Sequence, residues 1–306
     1  MTAKRDRLTG AGAQLVTEVT INFGSSLAGL LIPVVGSPVV VAVRQLVMAI
    51  TVLPFYRPQR VSFTWARLWP ALLLGVVLAV MNLTFYESVA RLGLGVAATM
   101  EFLGPFAVAL AASRRLLDFL CAAVAAAGVF LLTWSDGTLD PVGIALALTA
   151  AASWAGYILL TRRVAIQLPG LEGITIASVV SLVLLVPVAL VTLDFAELNW
   201  GIIGLLVAVG VLSSAFPYTL DTFILRRITP RLYAIITSFG PVFGAVFGVL
   251  VLGEVLLWQQ QLAILAVCLA ASASIATQRD RPVLADHHGG VAPHRAQPVA
   301  LSPVVG

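Results

Sequence analysis

The sequence predicts an all-α polytopic membrane protein, with ten transmembrane helices arranged as two inverted five-helix repeats. Three observations predict it. Hydrophobic residues fill 60% of the 306 positions and charged residues only 10%, with a mean hydropathy of +1.02, which is too apolar and charge-poor for a water-soluble domain. Basic residues recur in small clusters between long apolar runs. When the two halves are offset by 136 positions, Arg91 meets Arg227, Gly104-Pro105 meets Gly240-Pro241, and Asp118 meets Glu254. Five spans per half, an odd number, turn the second half over relative to the first.

Breaking the apolar runs at Pro, Gly and charge clusters gives five spans near 11–32, 38–54, 67–87, 93–112 and 118–134. Five more follow near 141–161, 173–193, 200–223, 231–252 and 258–277. Helices are required, because lipid cannot satisfy open backbone groups and the runs are too long and uniformly apolar for barrel strands. The first run follows Lys4, Arg5 and Arg7 as a signal peptide would, but it outlasts a typical apolar core and carries Gln14, Glu18 and Asn22. It reads as an uncleaved first span.

The chain therefore divides into a cytoplasmic tail (1–10), a first repeat (11–137), a second repeat (138–278) and a disordered cytoplasmic tail (279–306). That last segment holds Pro282, Pro293, Pro298 and Pro303 and every histidine, His287, His288 and His294. With both ends inside, sixteen of the eighteen basic residues fall on the cytoplasmic side, leaving Arg91 outside and Arg44 in the membrane. Missing or adding one span would destroy this alternation, so charge supports both count and orientation. Trp69, Trp134, Trp200 and Trp258 at span ends fit an interfacial belt.

The same distribution accounts for the net charge of +4 and argues against nucleic acid as a partner. Cys121 and Cys268 sit inside apolar runs as small hydrophobes, and no disulfide framework, metal set or cofactor motif is indicated. HExxH, GxSxG, Walker A and GxGxxG patterns do not occur. A membrane-embedded lipid enzyme would lack a nucleophile, and an ATP-driven pump would lack its phosphate loop. A small-molecule transporter driven by an ion gradient, or by its substrate's own gradient, remains.

Ionisable groups at membrane depth cost roughly 2.5–3.5 kcal/mol on insertion scales, so each is a functional candidate. Glu18 lies in span 1, Arg44 in span 2, Glu101 in span 4 and Asp221 in span 8. Glu101 shares a helical face with Gly104, Pro105 and Val108, and Pro105 deprives its carbonyl of the usual helical bond. Its carboxylate is either a site for a substrate amine or proton, or a buried partner of Arg44. Arg44 is in turn either counter-ion to a substrate carboxylate or partner of Glu18 or Glu101. Pro217 frees the carbonyl of Ser213 in the same way, and Asp221 beyond it is either a coupling residue or an interfacial acid. Asn82 adds a polar group to span 3. Gly240, Gly244 and Gly248 place three glycines on one face of span 9, where backbones pack closely. Trp154 and Tyr157 lie in the body of span 6, either to stack on substrate or to fill the core.

The segments Glu101-Phe-Leu-Gly-Pro-Phe-Ala-Val-Ala-Leu110, Ser113-Arg-Arg115, Ser213-Ser-Ala-Phe-Pro-Tyr218, Gly240-Pro241 and Leu252-Gly-Glu254 resemble the drug/metabolite transporter superfamily, EamA type. Within it they are most similar to the threonine/homoserine exporter group, over most of residues 20 to 278. The resemblance implies a central cavity and export of small amino acids or related metabolites across a bacterial inner membrane, coupled to protons. A broad drug or metabolite exporter of the same fold is the alternative. It also implies that Glu101 and the Pro217-Tyr218 region lie near the cavity. Asp221 departs from the glutamate expected in the nearest relatives.

Overall fold

The computed structural model describes residues 2–52, 64–111, 115–134, 140–168, 172–217, 220, 224 and 227–277. Tyr218, Asp221 and the histidine-bearing C-terminal segment lie outside the described residues. Ten apolar helical elements follow one another, with no strand among the described residues. They are α1 (Thr2–Val35), α2 (Ser37–Val52), α3 (Trp65–Leu92), the two-part α4 (Leu94–Glu101 and Leu103–Ala111) and α5 (Leu116–Trp134). The second half contains α6 (Pro141–Gln167), α7 (Glu172–Thr192), α8 (Trp200–Gly210), the two-part α9 (Pro230–Thr237 and Gly240–Leu252) and α10 (Trp258–Thr277). Seven of these are long and apolar enough to cross a membrane; α2, α5 and α8 are shorter apolar helices.

Most helix ends fall within a few residues of the sequence expectation, but α3 and α6 run on to Leu92 and Gln167, and α8 gives way at Gly210 to a π-helical turn although span 8 was expected to reach 223. Residues expected to form an N-terminal tail continue α1 instead, back to Thr2. Ala, Lys, Arg and Leu there are good helix formers, and nothing before Gly10 breaks the run. The expected continuous spans 4 and 9 are each interrupted. Proline removes the bond to the carbonyl four residues back and crowds it. Pro105 accordingly ends the first part of α4 at Glu101, and Pro241 ends the first part of α9 at Thr237.

Burial is inverted relative to a soluble protein. Val183, Val191, Leu250 and Leu269 are exposed, whereas Gln14, Glu18, Asn22, Gln45 and Asn82 are buried. Trp200 and Trp258 stand exposed at helix starts, where an interfacial belt needs them.

The principal contacts between the two halves map onto one another when each helix is exchanged with the one five places along. The contact α3–α6 corresponds to α8–α1, α3–α7 to α8–α2, and α4–α6 to α9–α1. The pairs α2–α7, α4–α9 and α5–α10 correspond to themselves. Gln45 on α2 donates to Ser181 on α7 at 3.2 Å, and these two residues are themselves 136 apart, as residues on a pseudo-twofold axis must be.

Small residues set the closest helix crossings. At Gly104 an added Cβ would run into the carbonyl of Ala151 on α6 and stand 2.9 Å from its carbon, whereas one at Gly204 would meet nothing within 4 Å. Gly104→Ala is expected to destabilise the protein by about 1–3 kcal/mol through overpacking. Gly204→Ala should be neutral or slightly stabilising, because alanine is the better helix former. Thermal unfolding of both variants in detergent checks the contrast, and equal effects would count against it.

Candidate functional site

The sequence places one arginine in α2 with no acidic residue a turn away on that helix, so its charge must be met by other helices. Arg44 reaches both halves of the molecule. Nη1 donates to Asn82 Oδ1 at 2.9 Å and to the Tyr86 hydroxyl at 3.2 Å, both on α3. Nε donates to Ser214 Oγ at 2.7 Å, and Nη2 donates to the carbonyl of Ser213 at 2.9 Å, beyond the end of α8. The guanidinium also lies 5.6 Å from the Tyr86 ring centroid, within cation–π range.

The Ser213 carbonyl is available because of Pro217. Helix α8 passes into a π-helical turn, Val211–Ala215, immediately before that proline, and the missing amide leaves the carbonyl of residue 213 open. Arg44 takes that acceptor, which the sequence had marked without naming its donor. Pro217 itself is buried.

Each described acceptor of Arg44 is neutral, and no carboxylate is in ion-pair contact with it among the described residues. The guanidinium is therefore well hydrogen-bonded, with no contacting carboxylate among the described residues. Glu101, half-buried at the break in α4, lies within reach of its field without touching it. Among the described residues the Glu101 carboxylate has no hydrogen-bond donor. Of the two expectations for Arg44, direct pairing with Glu18 or Glu101 is not what the structure contains.

Glu18 belongs to a separate polar seam on α1. Gln14 Nε2 donates to Glu18 Oε1 at 3.0 Å and to Thr237 Oγ1 at 3.0 Å, tying α1 to the break in α9. Asn22 and Ser25 continue the seam one and two turns on, and Ser25 Oγ lies 3.3 Å from the Tyr86 hydroxyl. The α9 glycines allow this approach. A Cβ at Gly240 would stand 3.3 Å from Glu18 Oε2, and one at Gly244 would stand 3.2 Å from Asn22 Oδ1. The seam thus runs from the break in α9, past Tyr86, to Arg44.

The 136-residue offset relates Glu18 to Trp154 on α6. Trp154 packs edge-on against Phe102, 6.2 Å between centroids, at the break in α4. The position survives the exchange of halves while the chemistry does not: one break is lined by a carboxylate and the other by an indole. Tyr157 is partly buried and packs against the apolar cluster that Leu74, Leu78 and Ala177 share. Sequence reading missed Tyr86, because a tyrosine in an apolar span looks like filling until Ser25 and Arg44 are placed on its hydroxyl.

Arg91, in the last turn of α3, pairs with Asp140 ahead of α6 at 2.5 Å, and that hydrogen bond, with the amide of Val142, holds the Asp140 carboxyl below its ordinary range. Glu254 accepts from the amide of Leu94 at 2.6 Å and, more weakly, from that of Gly95 at 3.5 Å. Burial pushes its carboxyl upward against those two amides. No group of three or more His, Cys, Asp or Glu residues that could hold a metal ion occurs among the described residues.

A polar seam between oppositely packed halves is the geometry of a transport protein, and comparison with known proteins agrees. Residues 141–275 match the EamA-like transporter family. The chain is 37% identical over 271 residues to the threonine/homoserine exporter RhtA of Salmonella typhimurium (strain SL1344), covering 88% of this chain and 92% of that protein. It is 38% identical over 268 residues to the protein of the same name from Escherichia coli (strain K12), covering 87% and 90%. The chain belongs to the EamA-like transporter family. A solved structure at 17% identity superimposes with a TM-score of 0.59 over 87% of this chain and 98% of that one, a likeness of fold alone. This EamA-like transporter is a polytopic membrane protein that moves a small molecule, and its seam gathers polar side chains within an apolar bundle.

Proposed function

We propose that this EamA-like transporter exports small amino acids of the threonine or homoserine type across a bacterial inner membrane, in exchange for protons, by alternating access. The observation that carries the reading is the guanidinium of Arg44, held by Asn82, Tyr86, Ser213 and Ser214 with no contacting carboxylate among the described residues. A fixed cation with neutral ligands attracts an anionic cargo group, and its planar fork suits a carboxylate. Glu101 supplies the opposite charge for an ammonium. A carboxylate that holds either a proton or the cargo's ammonium, but not both, couples the two movements. The names of the relatives support the substrate class.

The same reading assigns residues 11–137 and 138–278 as two inverted repeats rocking about the seam, with 1–10 and 279–306 as cytoplasmic ends. The exchange-symmetric packing and the 136-residue spacing of Gln45 and Ser181 support that division. The distribution of arginines supports both termini being cytoplasmic.

The test is uptake of labelled threonine and homoserine into everted membrane vesicles, with and without an imposed proton gradient. Gradient-stimulated, saturable uptake that unlabelled threonine inhibits is expected. Uptake no greater than in vesicles lacking the protein would refute the substrate class. Inhibition by unrelated organic cations as strong as by threonine would favour a broad exporter.

A further inference from the structure

Two acidic residues outside the seam occupy equivalent places in the two halves, 136 positions apart, and each is bonded to the opposite half. Glu254, between α9 and α10, accepts the first amides of α4, Leu94 N at 2.6 Å and Gly95 N at 3.5 Å. Asp118, in the first turn of α5 and buried, accepts from Ser274 Oγ of α10 at 2.7 Å.

The backbone around Glu254 is built to seat it. Gly253 turns the chain at the end of α9 with φ +69°, and the amide of Glu254 then returns to the carbonyl of Gly248 at 3.0 Å. Gly93, at φ +82°, precedes α4, and a Cβ there would stand 2.9 Å from the Glu254 carboxyl carbon. A Cβ at Gly248 would stand 2.8 Å from the same atom. Two glycines from opposite halves thus flank one carboxylate.

The two bonds lie at opposite ends of α10. Glu254 precedes its first turn, beginning at Trp258, and Ser274 lies in its last, so they are separated by roughly 24 Å at 1.5 Å per residue. That is most of the thickness of a membrane core. The structure has both bonds formed.

We propose that Glu254 and Asp118 are paired positioning residues for transport, each latching one half to the other at its own membrane face, so that releasing either opens that face alone. This rests on the alternating-access reading above. Glu254 closes the face of the α3–α4 turn, and Asp118 closes the face of the chain termini. Neither touches the seam: Glu254 acts through α4, whose first part ends at Glu101, and Asp118 acts through α10.

The test uses the full chain with Cys121→Ala, Cys268→Ala and Ser25→Cys, so that the only thiol lies on the seam. Labelling by a membrane-impermeant maleimide is measured in right-side-out and everted vesicles. Glu254→Ala is expected to raise labelling from the outer face severalfold and lower it from the inner face. Asp118→Ala is expected to do the reverse. Gly248→Ala, which drives a methyl group into the Glu254 carboxylate, should copy the sign of Glu254→Ala, and Ser274→Ala that of Asp118→Ala, keeping the test decisive if either acidic residue is needed for folding. Shifts of the same sign at both latches, or no shift at either, would overturn the proposal. Threonine protection of the thiol in the unlatched variants reports separately on the substrate reading, since a wrong cargo abolishes protection without altering the accessibility shifts.

Discussion

Arg44→Lys is expected to slow threonine uptake by on the order of tenfold to a hundredfold while leaving a folded, membrane-inserted protein. The charge is kept, so any loss must come from geometry. Arg44 spans from Asn82 and Tyr86 on α3 to Ser213 and Ser214 on the second half, using three nitrogens of one rigid plane. An ammonium is a single point with three donors and cannot present that fork to both walls and a cargo carboxylate together. Losing two or three such bonds, at ~0.6–1.5 kcal/mol each in a membrane interior, amounts to about 1–4 kcal/mol. Each 1.4 kcal/mol is about tenfold in rate. Arg44→Ala should be worse, since the acceptors of Asn82 and Ser213 are then left without their donor. Uptake at parental rate in Arg44→Lys, with comparable protein in the membrane, would remove Arg44 from the site.

Glu101→Gln is expected to abolish the stimulation of uptake by a proton gradient while sparing exchange of labelled for unlabelled substrate across the same vesicles. Glutamine keeps the size and an acceptor oxygen but holds neither a removable proton nor a charge. The carboxylate stands at the break that Pro105 imposes on α4, half-buried, with Arg44 as the cation whose field reaches it. Proton and ammonium each neutralise a carboxylate, so they are rivals for the same group. Removing the rivalry uncouples the gradient from the cargo. Gradient-driven uptake that persists in Glu101→Gln would place the coupling residue elsewhere, with Glu18 next in line because it faces the break in α9 through Gln14 and Thr237.

Much of this molecule was legible in its residues. Apolar run length and the alternation of arginines suffice for ten helices, because insertion into lipid tests each segment almost independently of its neighbours. Prolines carried more: Pro105, Pro217 and Pro241 each announce an open carbonyl four residues back, and at Ser213 that carbonyl has an identified donor. The membership of the pairs was not legible. Of the two readings open for Arg44, contact with Glu18 or Glu101 is not formed and four neutral oxygens meet it instead, while Glu18 faces α9 through Gln14 and Thr237.

What the sequence alone determined was the helical class and the number of apolar helices, which depend on hydropathy and run length along one chain. What only the tertiary structure decided was who meets whom. Tyr86 joins Ser25 and Arg44, Gln45 meets Ser181, and Glu254 seats on α4 through contacts between residues 42 to 160 positions apart. No local preference encodes such meetings, since helix faces in an apolar bundle are nearly alike until the close approach of glycines fixes their register.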